Sequence, residues 1–197
     1  RVRRPARVEP HTQPPHLSPK LSRMTLIVLR LGHRVPRDIR VTTHVGLIAR
    51  ALGADGVILT GDYDKSVLKT WRGIVEQWGG PFGFEYVKDW RRLVEGKKAE
   101  GWEIVHLTMY GLSISDVIDE IRQSAKPKLV LVGSERVPGL AFKLADWNVA
   151  VSSQPHSECG SLAVFLDRLF SGRELSKEFH GGSLRILPQR AGKRVVK

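Results

Sequence analysis

From Met24 onward the chain alternates between short runs of branched apolar residues and longer segments whose apolar positions recur every three or four residues. The first pattern suits a strand buried on both faces, and the second a helix lying on a sheet. It predicts a strand over Thr25 to Leu31, a polar and strongly basic connection over Gly32 to Thr43, and a helix from about His44 to Leu52 closed by Gly53. Further strands fall at Val57 to Leu59, Phe82 to Val87 and Ile104 to Leu107. Helices fall at Asp64 to Trp78, Trp90 to Gly96 and Asp116 to Ser124, the last with Ser113 or Ser115 as its cap.

The stretch from Lys128 to Phe170 repeats the unit twice. Leu129 to Val132 is a strand that stops at Gly133-Ser134-Glu135, with Pro138 placed to open the next helix. Val149 to Val151 stops at the polar run from Ser152 to Glu158, and a helical pattern follows through Leu162, Phe165, Leu166 and Leu169. Ser153 or Ser157 can cap that helix, and Glu158 near its amino end suits the helix dipole. Interleaved strands and helices predict an α/β fold, a mostly parallel sheet covered by helices on both faces. In such sheets ligands bind at the carboxyl edge, where these two small and polar loops lie.

At 197 residues, 41% of them hydrophobic, the chain suits one domain with a sizeable core, and no apolar run reaches the roughly 18 residues of a membrane span. The net charge of +12 is concentrated at the ends. Residues 1 to 23 carry +5 and five prolines, and are expected to be a disordered or extended leader. Residues 183 to 197 carry another +5, as a basic tail with one possible strand at Leu184 to Leu187; the body, 24 to 182, holds the remaining +2. Two basic arms on a nearly neutral body suggest a polyanionic partner, most plausibly nucleic acid.

The single cysteine, Cys159, excludes an intrachain disulfide and makes a reducing cytosol the natural compartment. It precedes an apolar segment and is expected to pack rather than react. No phosphate-binding loop and no Gly-x-Gly-x-x-Gly after a strand is present, which argues against ATP hydrolysis and ordinary dinucleotide binding. The seven histidines show no zinc-like spacing, so no metal site is expected. The five tryptophans are dispersed and read as core or interface residues.

Residues 43 to 61, THVGLIARALGADGVILTG, resemble the first motif of the SPOUT methyltransferases; Arg50 matches that motif's arginine, and His44 stands where asparagine is usual. LRLGHR, VTTHV, WGGPF, HLTMYGL, LVGSERVP and NVAVSSQPHSE, in that order, resemble the archaeal tRNA (cytidine(56)-2'-O)-methyltransferases. The resemblance spans about Met24 to Lys197. It implies S-adenosylmethionine as methyl donor, the ribose 2'-hydroxyl of a T-loop cytidine in tRNA as acceptor, a homodimer, and a deep trefoil knot in the C-terminal half.

Carried over by position, the resemblance implies that Leu107, Gly133, Ser134, Glu135, Arg136, Val137, Val151, Ser152, Ser153, Gln154, Pro155, His156, Ser157 and Glu158 bind the cofactor. Small residues there let the backbone approach a nucleoside closely. The implied catalytic residue is Arg50, as a permanent cation that anchors phosphate or stabilises a developing alkoxide. Arg30, His33, Arg34, Arg37 and Arg40 form a basic cluster expected to hold tRNA phosphates. The rival reading of the same residues is a non-catalytic RNA-binding module with a vestigial pocket.

Overall fold

The computed structural model describes residues 24–134 and 137–197. The expectations for the leader and for Glu135 and Arg136 lie outside these residues. Six strands form one sheet in the order β3-β2-β1-β5-β4-β6, and every neighbouring pair is parallel. The strands are β1 (Leu26–His33), β2 (Gly56–Gly61), β3 (Gly83–Tyr86), β4 (Glu103–Ser113), β5 (Lys128–Val132) and β6 (Trp147–Ala150).

Alternation along each strand sorts the apolar side chains into two layers. Val28, Leu59, Val105, Val130 and Val149 face a cluster completed by helices α1 (Ile39–Ala51), α2 (Lys65–Trp78), α4 (Ile114–Gln123) and α6 (Glu158–Phe170). Leu29, Leu31, Ile58, Ile104, Leu129 and Leu131 face the opposite way, onto α3 (Trp90–Ala99) and α5 (Gly139–Leu144). Burial on both sides explains why Leu129 to Val132 reads as an unbroken apolar run, and all five residues of β5, Lys128 included, are buried. Among the described residues, no helix is long and apolar enough to cross a membrane.

Two boundaries differ from the sequence reading. Helix α1 begins at Ile39 rather than near His44, the Thr42 amide donating to the Asp38 carbonyl at 2.9 Å. The polar residues that read as a loop are its outer face: Arg40 and His44 are exposed while Thr42, Val45, Gly46 and Ala49 point inward. Strand β4 does not stop at Leu107. Leu107 and Leu112 both pair with Val149, so the residues between them bulge out of the ladder before pairing resumes. Ser113 occupies the N-cap position of α4 without a side-chain bond, unlike Ser157, whose Oγ accepts from the Cys159 amide at 3.1 Å.

A short helical turn (Arg173–Ser176) follows α6, and the chain then returns to the end of α2. Gly80 and His180 exchange backbone bonds of 2.8 and 3.2 Å, and the amides of Ser183 and Leu184 donate to the carbonyls of Glu76 and Gln77. Strands β7 (Arg185–Leu187) and β8 (Arg194–Val196) form a separate antiparallel ribbon where the sequence predicted one strand in a basic tail.

Helix α2 presses on α1 at Gly46, where an added Cβ would fall inside the Trp71 indole. Trp71 is buried, and its Nε1 donates to the Thr43 carbonyl at 3.1 Å, so the ring is held in place. Gly46→Ala is expected to destabilise the protein by about 1–3 kcal/mol through overpacking, despite alanine's higher helix propensity. Chemical denaturation checks it.

Candidate functional site

The carboxyl ends of β4 and β5, the segment after β6 and the loop after β1 surround a cleft of ≈ 870 Å³. Strands β1 and β5 are neighbours in the sheet although the chain leaves them on opposite sides, and the crevice at such a switch point is the usual ligand site of an open α/β sheet. Of the positions expected to bind cofactor, Leu107, Gly133, Ser134, Val137, Pro155, His156 and Glu158 line this cleft. Val151, Ser152, Ser153, Gln154 and Ser157 belong to the same segment but do not line it; Ser152 Oγ accepts from the Gln154 amide at 3.2 Å, and Ser157 caps α6.

The turn after β5 is closed tightly. A Cβ on Gly133 would strike Val137 Cγ2, and one on Gly32, at φ +64°, would sit 3.0 Å from Ser134 Oγ. Backbone groups and short side chains therefore form this wall. The β4 bulge supplies the facing wall, through Thr108, Met109 and Tyr110. Gly111 closes the bulge against the Asn148 backbone, leaving no room for a side chain.

Arg30 and His33 correct the expectation that the whole basic cluster is available to phosphate. Both are 1% exposed. Arg30 Nη1 donates to the Gly133 carbonyl and lies 3.3 Å from Glu158 Oε1, while its Nε donates to Thr42 Oγ1 at 3.3 Å. Burial lowers the pKa of its guanidinium, and Glu158 and Asp38 oppose that shift. His33 continues the network. Arg30 can only donate, so the Thr42 hydroxyl accepts from it, and the same hydroxyl lies 2.9 Å from His33 Nδ1. His33 Nε2 lies 3.2 Å from Asp64 Oδ2, a carboxylate oxygen that accepts from it. A side chain enclosed between a covered strand and its helices is not offered to solvent, however basic it is.

Arg34 and Arg37 do line the cleft, and Arg40 is exposed on α1. Arg34 is braced by Asp38, donating from Nε at 2.9 Å and from its amide at 3.1 Å. The Arg34 bond holds the Asp38 carboxyl below the usual carboxylate range, although partial burial works against it.

Arg50 also departs from expectation. In the single chain it does not line this cleft; it borders a second cavity of ≈ 670 Å³ under the C-terminal segment. Its Nε donates to the Gly79 carbonyl at 3.2 Å, its Nη2 donates to the carbonyls of Trp78 and Gly79 at 2.8 Å, and its guanidinium lies 4.1 Å over the Phe179 ring. Burial lowers its pKa.

Asp38, His106, Thr108, Met109, Tyr110, Phe142 and Ser161 line the cleft without having been singled out. His106 to Tyr110 fall inside HLTMYG, which the strand pattern interrupted at Leu107; nothing in the sequence marks Phe142. Cys159 is half-buried and burial raises its thiol's pKa, as a packing role requires.

The fold, with its parallel sheet and cleft, is shared with solved methyltransferase structures. A SpoU methyltransferase from Streptomyces viridochromogenes, solved in complex with the cofactor AdoMet, aligns with a TM-score of 0.54 at 20% identity, over 76% of this chain and 58% of that one. An RNA 2'-O ribose methyltransferase aligns at 0.56 and 18% identity, over 81% and 62%. The tRNA ribose 2'-O-methyltransferase family profile matches residues 78–196. The chain is 53% identical over 169 residues to the tRNA (cytidine(56)-2'-O)-methyltransferase of Methanopyrus kandleri, covering 86% of this chain and 94% of that protein. It is 51% identical over 175 residues to the enzyme of that name from Pyrococcus abyssi, covering 87% of each. The chain belongs to this family.

Asp64 ties the network to α2. Burial would raise its pKa, but bonds from Ser66, Val67 and His33 outweigh that and hold its carboxyl low. A depressed folded-state pKa means stability present above the unfolded value of about 4 and lost as pH falls through the folded one. Denaturation followed between about pH 4 and pH 2 is expected to show a steep loss in the wild type and a shallower one in Asp64→Asn.

Proposed function

We propose that this protein transfers a methyl group from S-adenosylmethionine to the ribose 2'-hydroxyl of cytidine 56 in tRNA. The observation that carries the reading is about 50% identity to curated enzymes of that activity along nearly their whole length. The cleft supports it: the fold's ligand crevice is lined by seven of the fourteen positions that the family resemblance assigns to the cofactor. The tight Gly133 turn suits a nucleoside held largely by backbone groups. The deep trefoil knot that the family resemblance implies for the C-terminal half belongs to the same reading.

S-adenosylmethionine, when bound, supplies a sulfonium-activated methyl group. Bound in the cleft, it would give that methyl to the 2'-oxygen and leave as an uncharged thioether, the hydroxyl proton passing to water. The rest is positioning. Arg34 and Arg37 hold substrate phosphate beside the cleft, with Arg34 oriented by Asp38. Arg50 stabilises the developing alkoxide from a second copy of the chain, in a homodimer. Its Nη1 makes no hydrogen bond among the described residues, while its other nitrogens fix its direction.

Incubating the protein with labelled methyl donor and tRNA transcripts is expected to label cytidine 56 alone, with no label when that nucleotide lacks its 2'-hydroxyl. Absence of both cofactor binding and transfer would falsify the reading. Arg50→Ala, checked for native stability, is expected to keep cofactor affinity and lose turnover on the order of 10²–10³-fold. Arg34→Ala and Arg37→Ala are expected to weaken tRNA binding and to lower its salt dependence by about one counterion each.

A further inference from the structure

One buried polar atom beside the cleft has its hydrogen-bonding role dictated by its neighbours. His106 lies on β4 and is 0% exposed. Its Nδ1 is 2.9 Å from Asn148 Oδ1, and Asn148 Nδ2 donates to the Phe142 carbonyl at 2.9 Å. A carbonyl only accepts, so the amide nitrogen must face Phe142 and the amide oxygen must face the ring. Nδ1 of His106 therefore carries the hydrogen, and Nε2 presents a lone pair. Burial pushes the pKa of the imidazole down, more strongly than the Asn148 bond raises it, which keeps Nε2 an acceptor at neutral pH.

That acceptor has no hydrogen-bond partner among the described residues and is shielded from solvent. A buried acceptor left unmet calls for an explanation, and its position in the cleft wall offers one. Phe142 stands edge-to-face on the imidazole, with centroids 4.6 Å apart, and Tyr110 lies 6.5 Å from Phe142. With Leu107 and Val137 these rings make an uncharged section of the cleft, suited to a flat heteroaromatic base.

We infer that His106 Nε2 accepts a hydrogen bond from the exocyclic amine of the cofactor's adenine, so that His106 separates aminopurine from oxopurine nucleosides. The inference rests on the cleft taking S-adenosylmethionine, as proposed above. Because Nε2 is covered in the free protein, the base displaces its cover on entry, and Phe142 is the ring in contact. Asn148 is a positioning residue: it fixes the tautomer without touching the ligand.

The test compares S-adenosylhomocysteine with S-inosylhomocysteine, in which a carbonyl oxygen replaces the amine, by calorimetry on the full-length protein. Wild type is expected to prefer the adenosyl compound roughly tenfold or more, and His106→Leu to bring the ratio near one. An unchanged ratio in a folded His106→Leu protein overturns the assignment. Nitrogen NMR of the wild type reads the same point without a variant: an unprotonated Nε2 in the free protein whose resonance moves on saturation with S-adenosylhomocysteine. A protonated Nε2, or a resonance unmoved at saturation, refutes it. If neither nucleoside binds the wild type, the cofactor reading itself fails and this inference falls with it.

Discussion

The structure depends on a guanidinium buried in the carboxyl half of β1. Arg30 is one of the largest fully buried side chains, and it bonds the turn after β5, the first residue of α6 and the inner face of α1 together. An ion enclosed in this way is costly unless its donors are met. Here a carbonyl, a carboxylate and a hydroxyl meet it, and the strength of those bonds comes from the same low dielectric that makes the ion expensive. The consequence is geometric. Loops distant in sequence are fixed against one another, and the cleft exists because they are.

Two close backbone approaches complete the enclosure. The β4 bulge turns Thr108 to Tyr110 toward the cleft instead of leaving them in the ladder, and Gly111 lets the chain return to pair with β6. On the other side, the Gly133 turn leaves no space for a side chain. On the proposed reading a nucleoside between such walls is held mainly by backbone groups, which leaves discrimination between bases to few side chains.

The second cavity shows why a basic residue on a helix does not declare its role. Arg50 holds the last carbonyls of α2 and stacks on Phe179, and the end of α2 is bonded in turn to Ser183 and Leu184. The last basic arm is thus an antiparallel ribbon rooted beside Arg50. A chemical role for this arginine and a structural one are compatible, because the bonds that anchor it also aim it.

The sequence by itself determined the α/β class, the order of elements and the two loops of the cleft, because branched apolar runs and helical periodicity are local properties. The glycine after α1 was equally legible, and the cap of α6 was narrowed to Ser153 or Ser157, of which the structure uses Ser157. Where α1 starts was not, since polar residues look alike on a loop and on the outer face of a helix. Nor could the local pattern separate Arg30 from Arg34, which are four residues apart; one lies within a strand between two neighbours and the other begins a loop. Only the tertiary structure decided which cation is enclosed and which is offered, and which lone pair of His106 stays free. Burial and hydrogen-bond direction are set by partners more than forty residues away along the chain, and periodicity carries no information about them.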